Sequence, residues 1–375
     1  MRVVINTVFL TSENFGGSWT YTYNLIRSLE NFRDDVELIV LASSGMIPRF
    51  EGIESQIVAV DYGAKSRIMR VGWEQLVLPR FLKGFSPDIL HSTGNVIPRG
   101  VGNPSVLTMH DFQYFYYPEN FGWIKRQYLR YGVPHSVRKA TRVICVSEQT
   151  KRHAMLLCGV PAEKLTVVYE AGLAEGYEPE PTDSDTLRNR YKINGPFIMY
   201  AGSSMPHKNL RRLIEAFARV AADVRHDLLI VGEPFGFDNG LDRVSASALG
   251  LERDRVRMTG FVPRKDLLGL YELADAYVFP SLFEGFGIPV LEAMGIGCPV
   301  VAARGTSVPE VAGDAAEYFD PMSVESIASA VKKVCVDEGL RTLLRERGFA
   351  QAKKFSWDRM AKETLGVYLD AINST

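Results

Sequence analysis

The sequence predicts an α/β protein of two domains, each built on a parallel sheet. Its 375 residues are more than one ordinary core serves, so length alone asks for two domains. The apolar runs are short, rich in Val and Ile, and separated by helix-length periodic segments, the pattern of strands buried on both faces in βαβ units. These runs also fall into two series, with a Pro- and acid-rich stretch between them.

The first series is 3–5, 38–41, 57–60, 89–90, 106–109 and 143–146; the second is 197–200, 228–231, 277–279 and 300–302. Between them, Ala171 to Gly195 carries Glu178-Pro179-Glu180-Pro181 and Asp183-Ser184-Asp185, a composition that packs poorly and predicts a surface linker. Domains are expected at 1–172 and 173–357, with a last periodic helix from about 358 onward. Two domains joined in this way leave a cleft between them.

Composition narrows the function classes. Hydrophobic residues at 46% and charged residues at 23% exclude a mainly disordered chain, a collagen-like fibre and a coiled coil. Lys plus Arg number 43 against 44 Asp plus Glu, which argues against bulk nucleic-acid binding. Cys145, Cys158, Cys298 and Cys335 form no CxxC pair and no zinc-spaced cluster, so neither a metal site nor a disulfide framework is expected; Cys145 and Cys298, inside apolar runs, read as buried thiols in a reducing cytoplasm. No run approaches the length of a membrane span. Met1 to Leu10 is apolar but leads into Thr11-Ser12-Glu13-Asn14 without a cleavage-like site, and reads as a first strand.

Open parallel sheets bind ligands at the carboxyl ends of their strands, so the residues that follow each strand are the candidates. Asn14-Phe15-Gly16-Gly17 follows the first strand and leads into a helix, where glycines admit a ligand and a helix start offers N–H groups to phosphate. A plain turn fits the same pair. His110 follows 106–109 at a strand end, placed to meet a hydroxyl; a core histidine satisfied by backbone is the alternative. In the second half, Gly202-Ser203-Ser204-Met205-Pro206-His207-Lys208-Asn209 joins a strand to a helix, and Lys208 with the helix dipole suits a diphosphate. The most specific stretch is Phe279 to Met294. Pro289 there suits a first helical turn, which places Glu284 in the preceding loop and Glu292 inside the helix. Carboxylates near a phosphate-facing helix start would repel that ligand, so their expected role is binding hydroxyls.

Glu284 and Glu292 reproduce the E-x7-E motif, and EGFGIPVLEAMGIGCPVV, TSVPEV, MYAGSSMPHKNL, MTGFVPRKDLLGLYELADAYVFPS and CVSEQTKRHA surround it or precede it. In these strings the chain resembles retaining GT-B glycosyltransferases of the family 4 type, over almost its whole length. The resemblance implies twin Rossmann-like domains facing a deep interdomain cleft. The nucleotide-sugar donor would lie mainly on the second domain and the acceptor on the first, with the last helix packing back on the N-terminal domain. By motif it implies that Gly16 and Gly17 close on the donor diphosphate, that His110 lies near the sugar's C6 hydroxyl, and that Lys208 binds phosphate beside Gly202 and Ser203. Glu284 would contact the C3 hydroxyl region, with amides from Phe286, Gly287 and Ile288. Glu292 would clamp the ribose, and Val262 would lie at the base. Many members pair the lysine with an arginine five residues earlier; here Ser203 stands there, and His207 stands where a subgroup has Arg, so the cationic clamp is expected to rest on Lys208.

The expected reaction is therefore transfer of a sugar from a nucleoside diphosphate sugar to a hydroxyl of a glycan or lipid-linked acceptor, with retention and without a cofactor or metal. The PHKN string resembles a subgroup with many GDP-mannose users, so mannosyl transfer is expected, ahead of a UDP-glucose or related UDP-hexose donor. A nucleotide-sugar epimerase and a non-catalytic sensor are the alternatives of other classes. From Asn120 to Ser147 there is no acidic residue. Lys125, Arg126, Arg130, Arg138, Lys139 and Arg142 alternate there with Phe121, Trp123, Tyr128 and Tyr131. Such a stretch suits an anionic membrane surface or a diphosphate lipid; a solvated helix face over core aromatics is the alternative.

Overall fold

The computed structural model describes residues 1–11, 16–62, 67–102, 104–174, 180–232 and 255–374; Asn14 and Phe15 of the first glycine loop, and Glu178 and Pro179 of the expected linker, lie outside them. The chain divides into two compact units, Met1–Glu170 with Ser356–Thr375, and Ala171–Phe355.

The first unit is a parallel sheet of β1 (Arg2–Asn6), β2 (Glu37–Ser43), β3 (Gln56–Val60), β4 (Ile89–Ser92), β5 (Ser105–Met109), β6 (Arg142–Cys145) and β7 (Leu165–Val167), in the order β3-β2-β1-β4-β5-β6-β7. Val3, Val4 and Ile5 are fully buried, as expected for the central strand of a sheet covered on both faces. The terminal helix Trp357–Asn373 is part of this unit. It buries Trp357, Met360, Ala361, Thr364, Leu365 and Tyr368, a 3.6-residue periodicity.

The second unit has β8 (Phe197–Ala201), β9 (Asp227–Val231), β10 (Val256–Gly260), β11 (Ala276–Phe279), β12 (Val300–Ala303) and β13 (Ala316–Phe319), parallel in the order β10-β9-β8-β11-β12-β13. The helix Leu210–Val220 buries Leu210, Leu213, Ile214 and Phe217 against it. Both sheets are Rossmann-like. Strand order reverses between β1 and β4 in one unit and between β8 and β11 in the other, and those reversals are where such sheets bind ligands.

All ten expected strands form. β7, β10 and β13 were not among them. Each is an edge strand, half open to solvent, so its residues (Leu-Thr-Val, Val-Arg-Met-Thr-Gly, Ala-Glu-Tyr-Phe) lack the continuous apolar run of a central strand. The linker expectation needs correction over its second half. Asp183 caps a helix, Ser184–Tyr191, by accepting from the Thr186 N–H at 3.0 Å, and Leu187 is fully buried. This helix packs on Arg264–Leu273, where Gly269 is needed because a Cβ there would stand 2.5 Å from the Thr182 carbonyl oxygen. Asp266 ties the joint together: fully buried, it accepts from Thr182 Oγ1 at 2.6 Å, Tyr191 Oη at 2.6 Å and Arg190 Nη1 at 2.5 Å.

Candidate functional site

In the second unit the candidate residues gather on the loops that leave β8 and β11, the two strands at the reversal. After β8 the chain turns through Gly202, whose φ of +153° suits glycine and whose carbonyl lies where a Cβ on Gly232 would come within 2.1 Å. Tyr200 donates its hydroxyl to the Ser203 carbonyl at 2.6 Å and fixes the turn from below. A short 3-10 turn, Pro206–Lys208, then meets the helix Leu210–Val220 through Asn209. Asn209, in the left-handed region at φ 60°, donates from Nδ2 to the carbonyls of Pro280 and Pro321 at 3.1 and 2.8 Å, so one amide joins the β8 loop to the β11 loop.

That joint brings Lys208 to Glu284. Lys208 Nζ donates to Glu284 Oε1 at 2.7 Å, both side chains being largely but not wholly covered. Sequence assigned the two to different parts of a ligand; the fold makes them one ion pair. The backbone around Glu284 is held by the first two residues of the TSVPEV string. Its N–H donates to Thr306 Oγ1 at 3.2 Å, while Ser307 Oγ donates to the carbonyls of Glu284 and Phe286. Gly287, at φ +117°, turns the chain into the helix Ile288–Ile296, with Pro289 in its first turn as expected. In that first turn Pro289 has no N–H and the Val290 N–H donates to the Gly287 carbonyl at 2.9 Å, which leaves the Ile288 N–H without an acceptor inside the helix. Phe286 is buried with its ring 5.9 Å from that of Phe355, and Ile288 is buried as well.

His207 is buried, and burial together with the neighbouring Lys208 pushes its imidazole down to about 4. It is neutral at pH 7 and adds no charge to Lys208. A cation that sequence did not single out comes from elsewhere: Arg264 Nη1 donates to Glu292 Oε1 at 2.7 Å, with the carboxylate buried inside the helix. Arg264 sits two residues beyond Val262, itself buried after β10, and two before Asp266. It was legible in principle, as the cation in VPRKD just beyond a strand, but β10 itself was not recognised.

In the first unit, Gly16 precedes the helix Gly17–Leu29 and both glycines are exposed. Gly16 has φ −173° with nothing within 4 Å of a Cβ, so the protein itself makes no demand for glycine there. His110 follows β5 as expected and is held on every side. Its N–H donates to Asn95 Oδ1 at 3.0 Å, its Nε2 lies 2.8 Å from the Thr93 carbonyl oxygen, and its Nδ1 lies 3.3 Å from Glu170 Oε1. The ring stands edge-on to Tyr21 at 4.9 Å. Tyr21 continues into a buried network in which Thr108 Oγ1 lies 2.8 Å from both Tyr21 Oη and His91 Nε2, while His91 Nδ1 meets Tyr368 Oη at 2.7 Å. Burial drives the His91 imidazole down to about 3, so it is a neutral member of that network.

Of the basic and aromatic stretch, the helix Trp123–Lys139 exposes Trp123 (73%), Ile124 (65%) and Tyr131 (70%) beside Lys125, Arg130, Arg138 and Lys139, while Phe121 and Tyr128 are half-buried. Two of its four aromatics therefore face solvent instead of the core. The four cysteines are free and buried. Among the described residues no group of His, Cys, Asp or Glu has a metal-holding arrangement, and no helix is long and apolar enough to cross a membrane.

Comparison with known proteins agrees with this architecture. The family model described as "Glycosyl transferases group 1" matches residues 183–351, and "Glycosyltransferase Family 4" matches residues 15–171. The O-antigen chain mannosyltransferase B of Escherichia coli is 28% identical over 366 residues, covering 94% of this chain and 95% of that protein. The O-antigen chain mannosyltransferase RfbU of Salmonella typhimurium is 28% identical, covering 85% and 87%. Among solved structures, Anabaena HepE in complex with UDP-glucose superimposes with a TM-score of 0.76 at 21% identity, covering 98% and 100%, a likeness of fold.

Proposed function

The chain belongs to the group 1 glycosyltransferases of the family 4 type, and from that premise we propose that it is a retaining mannosyltransferase that uses GDP-mannose and needs no metal. The sugar passes to a hydroxyl of a glycan or lipid-linked glycan. The observation that carries this reading is the Lys208–Glu284 pair beside the start of the helix Ile288–Ile296, at the strand-order reversal of the second sheet. The two O-antigen mannosyltransferases, similar over most of their length, support the choice of sugar.

Breaking a glycosyl–diphosphate bond puts negative charge on the leaving phosphate, so the main requirement is a cation and aligned amides where that charge grows. Lys208, the helix starts at Leu210 and Ile288, and Arg264 supply positive potential on one unit. When a diphosphate arrives, Lys208 exchanges part of its bond to Glu284 for phosphate oxygens, and the released carboxylate accepts from sugar hydroxyls. Glu292, steadied by Arg264, accepts from the ribose diol. Asp183 of the chain's one DxD string accepts from the Thr186 N–H as a helix cap. His110 meets the transferring sugar, and a departing phosphate oxygen takes the acceptor's proton on the same face.

The test is a GDP-release assay with GDP-mannose, a polyprenyl-diphosphate-linked oligosaccharide and EDTA, followed by NMR of the product. An α-mannoside formed at an undiminished rate in EDTA supports the reading; a β-linkage, or loss of turnover in EDTA, contradicts it. Arg264→Ala should raise KM for the donor about tenfold while kcat changes little, because Glu292 loses its orienting partner but the reacting bond does not. A fall confined to kcat would move Arg264 to the chemistry.

We further propose that the exposed Trp123, Ile124 and Tyr131, with the basic residues around them, seat the enzyme on an anionic membrane surface. Exposed aromatic and aliphatic side chains flanked by cations are what an interface of this kind retains. Vesicles with phosphatidylglycerol should float the wild-type protein and leave Trp123→Ala/Tyr131→Ala largely in the unbound fraction. Equal flotation of both proteins, or none with either, rejects this surface.

A further inference from the structure

We infer that Glu170 is a positioning residue for the transfer reaction: it holds the His110 ring in one orientation and keeps a proton on Nδ1, so that this N–H is the one aimed at a substrate hydroxyl. The inference rests on the proposed placement of His110 beside the transferring sugar, but its first test does not.

The geometry assigns the protons. A carbonyl oxygen can only accept, so the 2.8 Å contact between His110 Nε2 and the Thr93 oxygen requires a hydrogen on Nε2. With Nε2 committed, the ring meets a substrate only through its Nδ1 edge, and that edge faces Glu170 Oε1 at 3.3 Å. At 3.3 Å against 2.8 Å the contact is longer than the one to Thr93, so it is the bond that a hydroxyl can share. A bare Nδ1 would leave a buried carboxylate facing a lone pair. A proton between them turns the same contact into a charge-assisted bond.

The surroundings favour that proton. Both side chains are nearly enclosed, 12% exposed for His110 and 5% for Glu170. The acidic groups around the ring are Asp111 and Glu170, whose own carboxyl burial raises while the bond to His110 pulls it back; the other titratable ones are His91, neutral, and Tyr21, whose hydroxyl burial keeps protonated. Burial alone would lower the His110 imidazole, but the Glu170 contact, the Thr93 carbonyl and Asp111 outweigh it and raise the group above its ordinary value. Glu170 lies just beyond β7, at the carboxyl end of an edge strand in the same sheet, which is how its carboxylate comes beside a residue 60 positions earlier.

The direct test is a long-range 1H–15N spectrum of the histidine rings of the wild-type protein, with His110 assigned by its loss in His110→Asn. At about pH 7 both His110 nitrogens should show as protonated. A neutral ring with a bare Nδ1 overturns the inference, whatever the enzyme's activity. The second test is the pH profile of kcat for Glu170→Gln, which keeps the shape and removes the charge. With the counter-charge gone, burial lowers the imidazole, so the alkaline limb should move down by about one pH unit or more and turnover near pH 8 should fall about tenfold relative to wild type. KM for the donor should change much less. A uniform loss with the limb unmoved, or full activity, means Glu170 only fills space.

Discussion

Replacing Glu284 by Ala should reduce turnover by a factor of about 10²–10³, the usual cost of deleting one group that acts on the developing charge or on the reacting sugar. Its circular dichroism should stay that of the wild type, because the Glu284 loop is pinned through backbone atoms by Thr306 and Ser307. The ion pair adds a second, sharper expectation. Lys208 is bonded to Glu284 at 2.7 Å, so removing the carboxylate leaves the ammonium wholly to a diphosphate. GDP should bind the Glu284→Ala protein at least as tightly as wild type while the sugar is no longer transferred. Lys208→Ala should show the reverse, losing GDP affinity first. Near-normal turnover in Glu284→Ala, or lost GDP binding in that variant with Lys208 intact, would contradict the roles given to both residues.

Asp266→Ala should be the most damaging single change to stability outside the central strands. The fully buried carboxylate accepts from Thr182, Arg190 and Tyr191, and its removal leaves these part-buried donors without an acceptor, a loss of about 2 kcal/mol. The half-exposed Arg190 recovers water and limits the damage. Burial works to raise the Asp266 carboxyl, and the bonds from Thr182, Tyr191 and Arg190 outweigh it, so the group sits below its ordinary value. A carboxylate lowered on folding contributes stability that is fully present above its unfolded value of about 4 and disappears as pH falls through its folded one. The wild type should therefore lose more stability than Asp266→Ala on acidification below about pH 4, narrowing the gap between them. Thermal denaturation at neutral and acid pH measures it; a gap that stays constant would remove Asp266 from the account.

How far the sequence could be read follows from what each residue touches. Central strands such as β1 and β8 are buried on both faces, so their apolar runs declare them. β7, β10 and β13 have one open edge and carry Thr, Arg or Glu, and no run marks them. The site repeats this pattern. His110, Lys208, Glu284 and Glu292 follow recognised strands or lie in a dense motif, so each was found. Arg264 follows β10 and Glu170 follows β7, so the groups that hold Glu292 and His110 vanished along with the strands that deliver them. Likewise Leu187 looked like part of a linker, because the helix that buries it is short and its partner, Arg264–Leu273, lies far along the chain. Pairings such as Lys208 with Glu284 cannot be read from spacing at all; they depend on Asn209 joining two loops from strands adjacent only in the folded sheet.

Calorimetry decides whether the second unit binds a nucleoside diphosphate sugar through Lys208. GDP, UDP, GDP-mannose and UDP-glucose would be titrated into the wild-type protein and Lys208→Ala in the presence of EDTA. The wild type should bind GDP and GDP-mannose saturably and the uridine pair weakly or not at all, and Lys208→Ala should lose guanine-nucleotide binding. Binding of none of the four, or binding that Lys208→Ala leaves unchanged, would contradict it.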